Sequence, residues 1–198
     1  MMIAASLMAV AASAQTAHGT ALDKLCHALS TSCVTMKCTY SINVSNTRMA
    51  GNAEVAVQGD MYTMKGNGLQ VFCDGAKVWS VDSAAKEVYI ESVDALETNS
   101  LANPAALFMH LGTSFKVASS TQSGGKYSYN LKPKAACGVS SADLALSPEG
   151  TPISAVFVLE DGLKVEVDIE SMSIEKTKPE DVFRPQVSFG SDWIVTEL

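Results

Sequence analysis

The chain has 198 residues, 47% of them hydrophobic and 18% charged, with a formal net charge of −7. That length and apolar content fit one globular domain with a substantial core. The acidic balance argues against a nucleic-acid partner, which calls for a basic stripe.

The first fourteen residues, MMIAASLMAVAASA, carry no charge and end in Ala12-Ser13-Ala14. An apolar run closing on small residues at A-x-A spacing predicts a secretory signal peptide cleaved after Ala14, leaving residues 15–198 as a single exported domain. The run is shorter than the roughly 20 residues that a membrane span needs. Export gives weight to the five cysteines, Cys26, Cys33, Cys38, Cys73 and Cys137, whose spacings match no zinc or redox motif. Two readings stay open: five structural thiols, or one disulfide among Cys26, Cys33 and Cys38.

Apolar residues at 21, 22, 25, 28 and 29 fall at helical spacing, so Ala21–Leu29 is predicted as an amphipathic helix ending at Thr31-Ser32, with His27 on its wet face. Val34–Val44 then alternates Met36, Cys38, Tyr40, Ile42 and Val44 against polar neighbours, the pattern of a half-buried strand. Ala53–Val57 and Met61–Lys65 continue it, and Gly66-Asn67-Gly68 breaks the chain. Leu69–Phe72, Lys77–Val81 and Glu87–Ile90 read as a three-strand meander whose first turn centres on Asp74-Gly75. Within it Trp79 and Val81 share one face, and Val78 and Ser80 the other. Something should cover so large a side chain as Trp79.

A second helix is expected at Pro104–Leu111, capped by Asn103, with Leu107, Phe108 and Leu111 on one apolar face and Gly112 as its stop. Strands resume at Phe115–Ala118, Lys126–Lys132, Ala142–Leu146, Ile153–Leu159 and Leu163–Ile169, with Trp193–Val195 as a terminal strand. The count is about eleven strands with two apolar helices and no βαβ alternation. The fold class is therefore mainly β: a curved antiparallel sheet or unclosed β-barrel whose apolar face needs helices or a ligand over it.

No enzymatic motif is present. The three histidines have no H-x-x-x-H or H-x-E spacing, and G-x-S-x-G, P-loop and G-x-G-x-x-G patterns are missing, so neither an enzymatic activity nor a cofactor or metal is expected.

The order of these pieces resembles the LolA-type periplasmic lipoprotein carriers. The carrying residues are Asp74-Gly75-Ala76-Lys77-Val78-Trp79 (a D-G-x-x-h-W strand pair), Asn103-Pro104-Ala105-Ala106-Leu107-Phe108, Tyr129-Asn130-Leu131-Lys132-Pro133-Lys134, the late turn within Leu146–Ile153, and the F-x-P element Phe183-Arg184-Pro185. The resemblance implies a periplasmic carrier that shelters lipoprotein acyl chains in an apolar cavity during transport to the outer membrane. It also implies a monomer served by an inner-membrane lipoprotein-releasing transporter and an outer-membrane acceptor. Met36, Tyr40, Val55, Tyr62, Met64, Phe72, Trp79, Val81, Tyr89 and Phe157 would line the cavity, and Leu25, Leu29, Leu107, Phe108 and Leu111 would form its lid. Methionines at 36, 61, 64 and 109 would suit adaptable walls. Two features depart from the family pattern. The arginine that latches the lid is expected near Asp60–Met64, where this chain has none and Lys65 is the nearest basic residue, and Asp192–Leu198 is short for the family's C-terminal extension. Two rival readings remain: an envelope sensor of lipid or lipoprotein on the same fold, or a structural β-domain in which these residues are ordinary core.

Overall fold

The computed structural model describes residues 21–44, 47–93, 103–109 and 111–198; the expected signal segment and His110 lie outside them. After a helix over 21–31 (α1) come β1 (Cys33–Val44), β2 (Thr47–Gln58), β3 (Met61–Gly66), β4 (Leu69–Cys73), β5 (Lys77–Asp82) and β6 (Glu87–Ser92). The short helices α2 (Pro104–Met109) and α3 (Leu111–Ser114) follow. The chain continues through β7 (Phe115–Ser123), β8 (Lys126–Pro133), β9 (Val139–Leu146), β10 (Pro152–Leu159), β11 (Lys164–Glu175), a 3-10 turn at Glu180–Phe183, and β12 (Ile194–Glu197). The twelve strands form one sheet in the order β12-β6-β5-β4-β3-β2-β1-β11-β10-β9-β8-β7. The sheet is mainly antiparallel and unclosed, with β7 and β12 as its edges, and only the β12–β6 pair is parallel.

Twelve strands replace the expected eleven or so, and several are longer than the alternation predicts. Residues 47–52 of β2 are largely exposed, so no apolar period marks them, yet they pair continuously with β1 from Asn52↔Thr39 to Thr47↔Val44. β11 likewise continues to Glu175 beyond a bulge opposite Lys37/Cys38, where the register shifts so that Val165, Val167 and Ile169 before it and Met172 after it share one face. Gly112 does not stop a helix: it lies inside α3, where an added Cβ would sit 3.4 Å from Cys26 Cβ of α1.

Register assigns every strand a face, because directly paired residues point the same way. Val34, Val57, Tyr62, Cys73 and Val78 form one row across β1 to β5, and Met36, Val55, Met64 and Val71 another. On the other half, Ile42, Val165, Phe157, Ala142 and Leu131 align, as do Tyr40, Val167, Ala155, Leu144 and Tyr129. These side chains join Ala21, Leu22, Leu25, Ala28 and Leu29 of α1 and Ala105–Phe108 of α2 in one main core. This inner face is the one the helices cover. Asn103 Oδ1 caps α2 by accepting from Ala105 N at 2.8 Å. α1 is seated by the β9–β10 turn: Gly150, at φ +87°, lies so close that a Cβ there would meet Ala21 O at 2.7 Å.

The outer face has a cover of its own. Residues 176–193 run from the end of β11 to β12 beyond β6, so they cross the width of β1 to β6. Gln58 fastens this strap on β2, its Nε2 donating to Lys178 O at 3.0 Å and its Oε1 accepting from Lys178 N at 2.7 Å. Phe183, Cys33, Val81 and Val88 are buried yet stand apart from the main core, Phe183 on the strap and the other three at outer-face positions of the sheet. Arg184 Nε then donates to Asp74 Oδ2 at 2.7 Å, and Asp74 is only 7% exposed. Asp74 Oδ1 also accepts from Ala76 N and Lys77 N at 3.0 and 2.9 Å, which closes the β4–β5 turn. Burial pushes this carboxyl up, but the Lys77 and Ala76 amides and the Arg184 guanidinium outweigh burial and hold it below its ordinary value.

Because the folded-state pKa is lowered, the stability Asp74 contributes is present above about pH 4, its unfolded value, and is lost as pH falls through the lowered one. The urea midpoint of wild type should therefore exceed that of Asp74→Asn by a constant amount from about pH 5 to 7, and the gap should close toward about pH 2. A gap unchanged in acid would disprove the assignment. Phe183→Ala, far from the helices, should cost about 3 kcal/mol in the same measurement.

Candidate functional site

The inner face is apolar from β8 through β11 and β1 to β4, and turns polar at its β5–β6 end, where Ser80, Asp82, Glu87 and Glu91 share it by register. No charged side chain among the described residues is buried in it. Burial pushes the Cys38 thiol up to about 11 and raises Cys73 as well. Burial also drives the Tyr62 phenol up, helped by Cys73 and Glu91, and raises Tyr129, whose shift the Leu22 backbone partly offsets. All four stay neutral at physiological pH, so none of them is a ready nucleophile. Its chemistry is the exclusion of water from apolar surface.

Met36, Val55, Tyr62, Met64 and Phe157 come together on this face, as expected from the sequence. Tyr40 stands half-buried at the end of the face, its hydroxyl accepting from Asn67 Nδ2 at 3.2 Å. That contact rests on Gly51, opposite Tyr40 in the ladder: a Cβ there would lie 2.0 Å from Asn67 Nδ2. Leu25, Leu29, Leu107, Phe108 and Leu111 are all buried in the helical cover. Phe108 meets Phe157 edge to face, with ring centroids 6.0 Å apart and planes at 78°.

Three of the expected wall residues are elsewhere. Phe72 pairs with Trp79, and Val81 with Val88, on the outer face beneath the strap. The inner positions of β4 and β5 are Val71, Cys73 and Val78. Trp79 thus stands half-buried on the face that the C-terminal strap crosses, and not under the helices. Both faces of this hairpin are apolar, so alternation alone does not say which of them looks inward. The usable signal lies one hairpin earlier: Tyr62 and Met64 pair with Cys73 and Val71, which sends Phe72 to the other side. Tyr89 shares the inner register through Ser80 but is 45% exposed, at the β6 edge. Sequence reasoning also missed the wall of β8 to β11, where Leu131, Leu144, Val165 and Val167 are buried.

Lys65 cannot take the place of the missing latch arginine, for it is exposed, pairs with Glu54 in register and lies on the outer face. Arg48 is also outside, donating to Ser41 Oγ at 3.2 Å. Cys33 and Cys38 lie on opposite faces of β1, which rules out a bridge between them, and all five cysteines are free thiols. Among the described residues no cluster of His, Cys, Asp and Glu could hold a metal ion, and no helix is long and apolar enough to cross a membrane. The open clefts bounded by described residues lie along the outer face and the β3–β4 hairpin, lined by residues such as Ser128, Asn130 and Asp143 or Asn52, Glu54 and Gln70.

The family model described as the outer membrane lipoprotein carrier protein LolA matches residues 57–186. Comparison with curated proteins gives no match. Among solved structures, the chain is similar to a LolA superfamily protein from Nitrosomonas europaea, at 10% identity and a TM-score of 0.47, covering 85% of this chain and 97% of that one. It is also similar to a putative outer membrane lipoprotein-sorting protein domain from Vibrio parahaemolyticus, at 11% identity and a TM-score of 0.48, covering 86% and 97%.

The placement of the thiols gives a direct check on the two faces. Cys26 and Cys137 are partly exposed, whereas Cys33, Cys38 and Cys73 are buried. Alkylation of native protein, resolved by peptide mass, should label Cys26 and Cys137 first and the other three about a hundredfold more slowly, as set by opening of the fold. Equal labelling of Cys73 and Cys137 would contradict the hairpin register.

Proposed function

The chain belongs to the family of the outer membrane lipoprotein carrier protein LolA, and from that premise we propose that it carries lipoprotein acyl chains through the periplasm to the outer membrane. The observation that supports the reading best is the inner face itself: apolar from β8 through β1 to β4, with no buried charge among the described residues, and covered by helices through Leu25, Leu29, Leu107, Phe108 and Leu111. An acyl chain in water costs roughly 0.8 kcal/mol per CH₂, on the order of 10 kcal/mol for a chain of lipoprotein length, so crossing an aqueous compartment calls for such a shelter. In the proposed cycle the helices lift and the acyl chain takes the place of their side chains against Met36, Val55, Tyr62, Met64 and Phe157. Apolar area is exchanged for apolar area, which keeps loading and release close in free energy. The signal segment is removed after Ala14, and residues 15–198 act in the periplasm between an inner-membrane lipoprotein-releasing transporter and an outer-membrane acceptor. No catalytic step is assigned.

The second reading, an envelope sensor or binder of another amphiphile on the same fold, draws on one observation: Lys65 lies on the outer face, so no basic side chain stands where the family's lid latch is expected. The two readings part in a release assay. Delipidated protein that solubilises a triacylated lipoprotein from inner-membrane vesicles acts as a carrier; protein that binds a fluorescent fatty acid but releases no lipoprotein is a sensor or binder. Under either reading, Leu107→Asn with Phe108→Asn should weaken the fatty-acid probe about tenfold while Phe108→Leu retains it. Unchanged affinity in the double variant would remove the helices from the site.

A further inference from the structure

Nine large apolar side chains are exposed among the described residues, and five of them, Val182, Val187, Ile194, Val195 and Leu198, belong to the strap and β12. A sixth, Tyr89, stands on β6 next to Thr196 of β12. Val182 and Val187 sit on the strap, Val182 in the turn over β3, but Tyr89, Ile194, Val195 and Leu198 lie together at the β12 edge of the sheet. Exposed apolar groups gathered in one place mark an interaction surface. Ile194 N and Leu198 N donate inward to Lys86 O and Ile90 O, so by alternation the N–H groups of Val195 and Glu197 point away from the sheet. The opposite edge, β7, is different in kind, since its exposed residues are mostly small and polar.

We propose that the free edge of β12 takes up an extended, basic segment of a partner protein as a thirteenth strand. Backbone pairing to Val195 and Glu197 would supply register, and alternate side chains of the segment would pack on Ile194 and Leu198. Charge selects the occupant. Lys86 and Lys77 are engaged by Asp192 and Glu197, whereas Glu87 and Glu91, flanking Tyr89 on the same face, form no ion pair among the described residues. Long Lys or Arg side chains can lay their stems over Ile194 and Leu198 and reach those carboxylates. A second copy of this chain would instead bring four unpaired carboxylates to one seam, and an anionic lipid surface would be repelled by the same groups.

The test uses a fluorescein-labelled peptide of alternating lysine and valine, and its glutamate–valine counterpart, against the full protein. The lysine peptide should bind, protect the Val195 and Glu197 amides from exchange, and outcompete the glutamate peptide by about tenfold. Val195→Pro removes an outward N–H without touching an inward one, and should weaken the lysine peptide by about tenfold. Glu87→Gln with Glu91→Gln should weaken it about threefold without altering the backbone. An unchanged urea midpoint shows that both variants fold, and unchanged fatty-acid binding by Val195→Pro, on the outer face, separates this surface from the acyl site. Equal binding of both peptides, indifference to both substitutions, or binding of neither peptide would overturn the proposal. So would anionic vesicle binding or dimerisation that Val195→Pro abolishes while the peptide stays inert.

Discussion

The Asp74–Arg184 ion pair holds together two parts of the chain 110 residues apart, and the use of both faces of the sheet depends on it. Asp74 belongs to the turn that sets the β4–β5 register; Arg184 follows the fully buried Phe183. The strap gives the outer face a cover of its own, so the sheet does not rely on its inner face alone for burial.

The inner face fits exchange in its chemistry as well. The thiols and phenols beneath the helices are kept neutral by burial, so displacing the helices uncovers no buried charge there. Met36 and Met64 are adaptable side chains, and α2 rests on the face through Ala105–Phe108, with Phe108 edge to face on Phe157. Helices of this length gain little stability from their own hydrogen bonds and are held mainly by the surface they cover. Whatever competes for that surface competes directly with the lid.

Much of this was legible in the sequence. The alternation of Val34–Val44 and the Asp74-Gly75 turn define strands and their ends through local chemistry, and Asn103-Pro104 announces α2 by capping. The faces of β4 and β5 were not legible, because residues 71–73 and 78–81 are apolar or small on both sides and period-2 reasoning needs a polar side to orient it. The large Trp79 draws attention as a cavity wall, yet its face is crossed by residues more than a hundred positions later, which no local pattern can announce. The extent of β2 and β11 was hidden for a related reason: their outer parts are held by a neighbouring strand and not by burial, so they carry no hydrophobic signature. That Leu25, Leu29, Leu107, Phe108 and Leu111 pack on the same face as Met36, Tyr62 and Met64 is legible because amphipathic spacing and cross-strand pairing agree there.

The route of the strap has a kinetic meaning. Gln58 meets Lys178 across 120 residues and β12 joins β6 in parallel, so the outer cover closes through contacts of long sequence separation. Until residues 178–197 have arrived, the meander keeps an apolar back and an unpaired β6 edge. Such contacts close late, after the meander they cover. A polypeptide built this way stays pliable over its first half until residues 178–197 have docked on it.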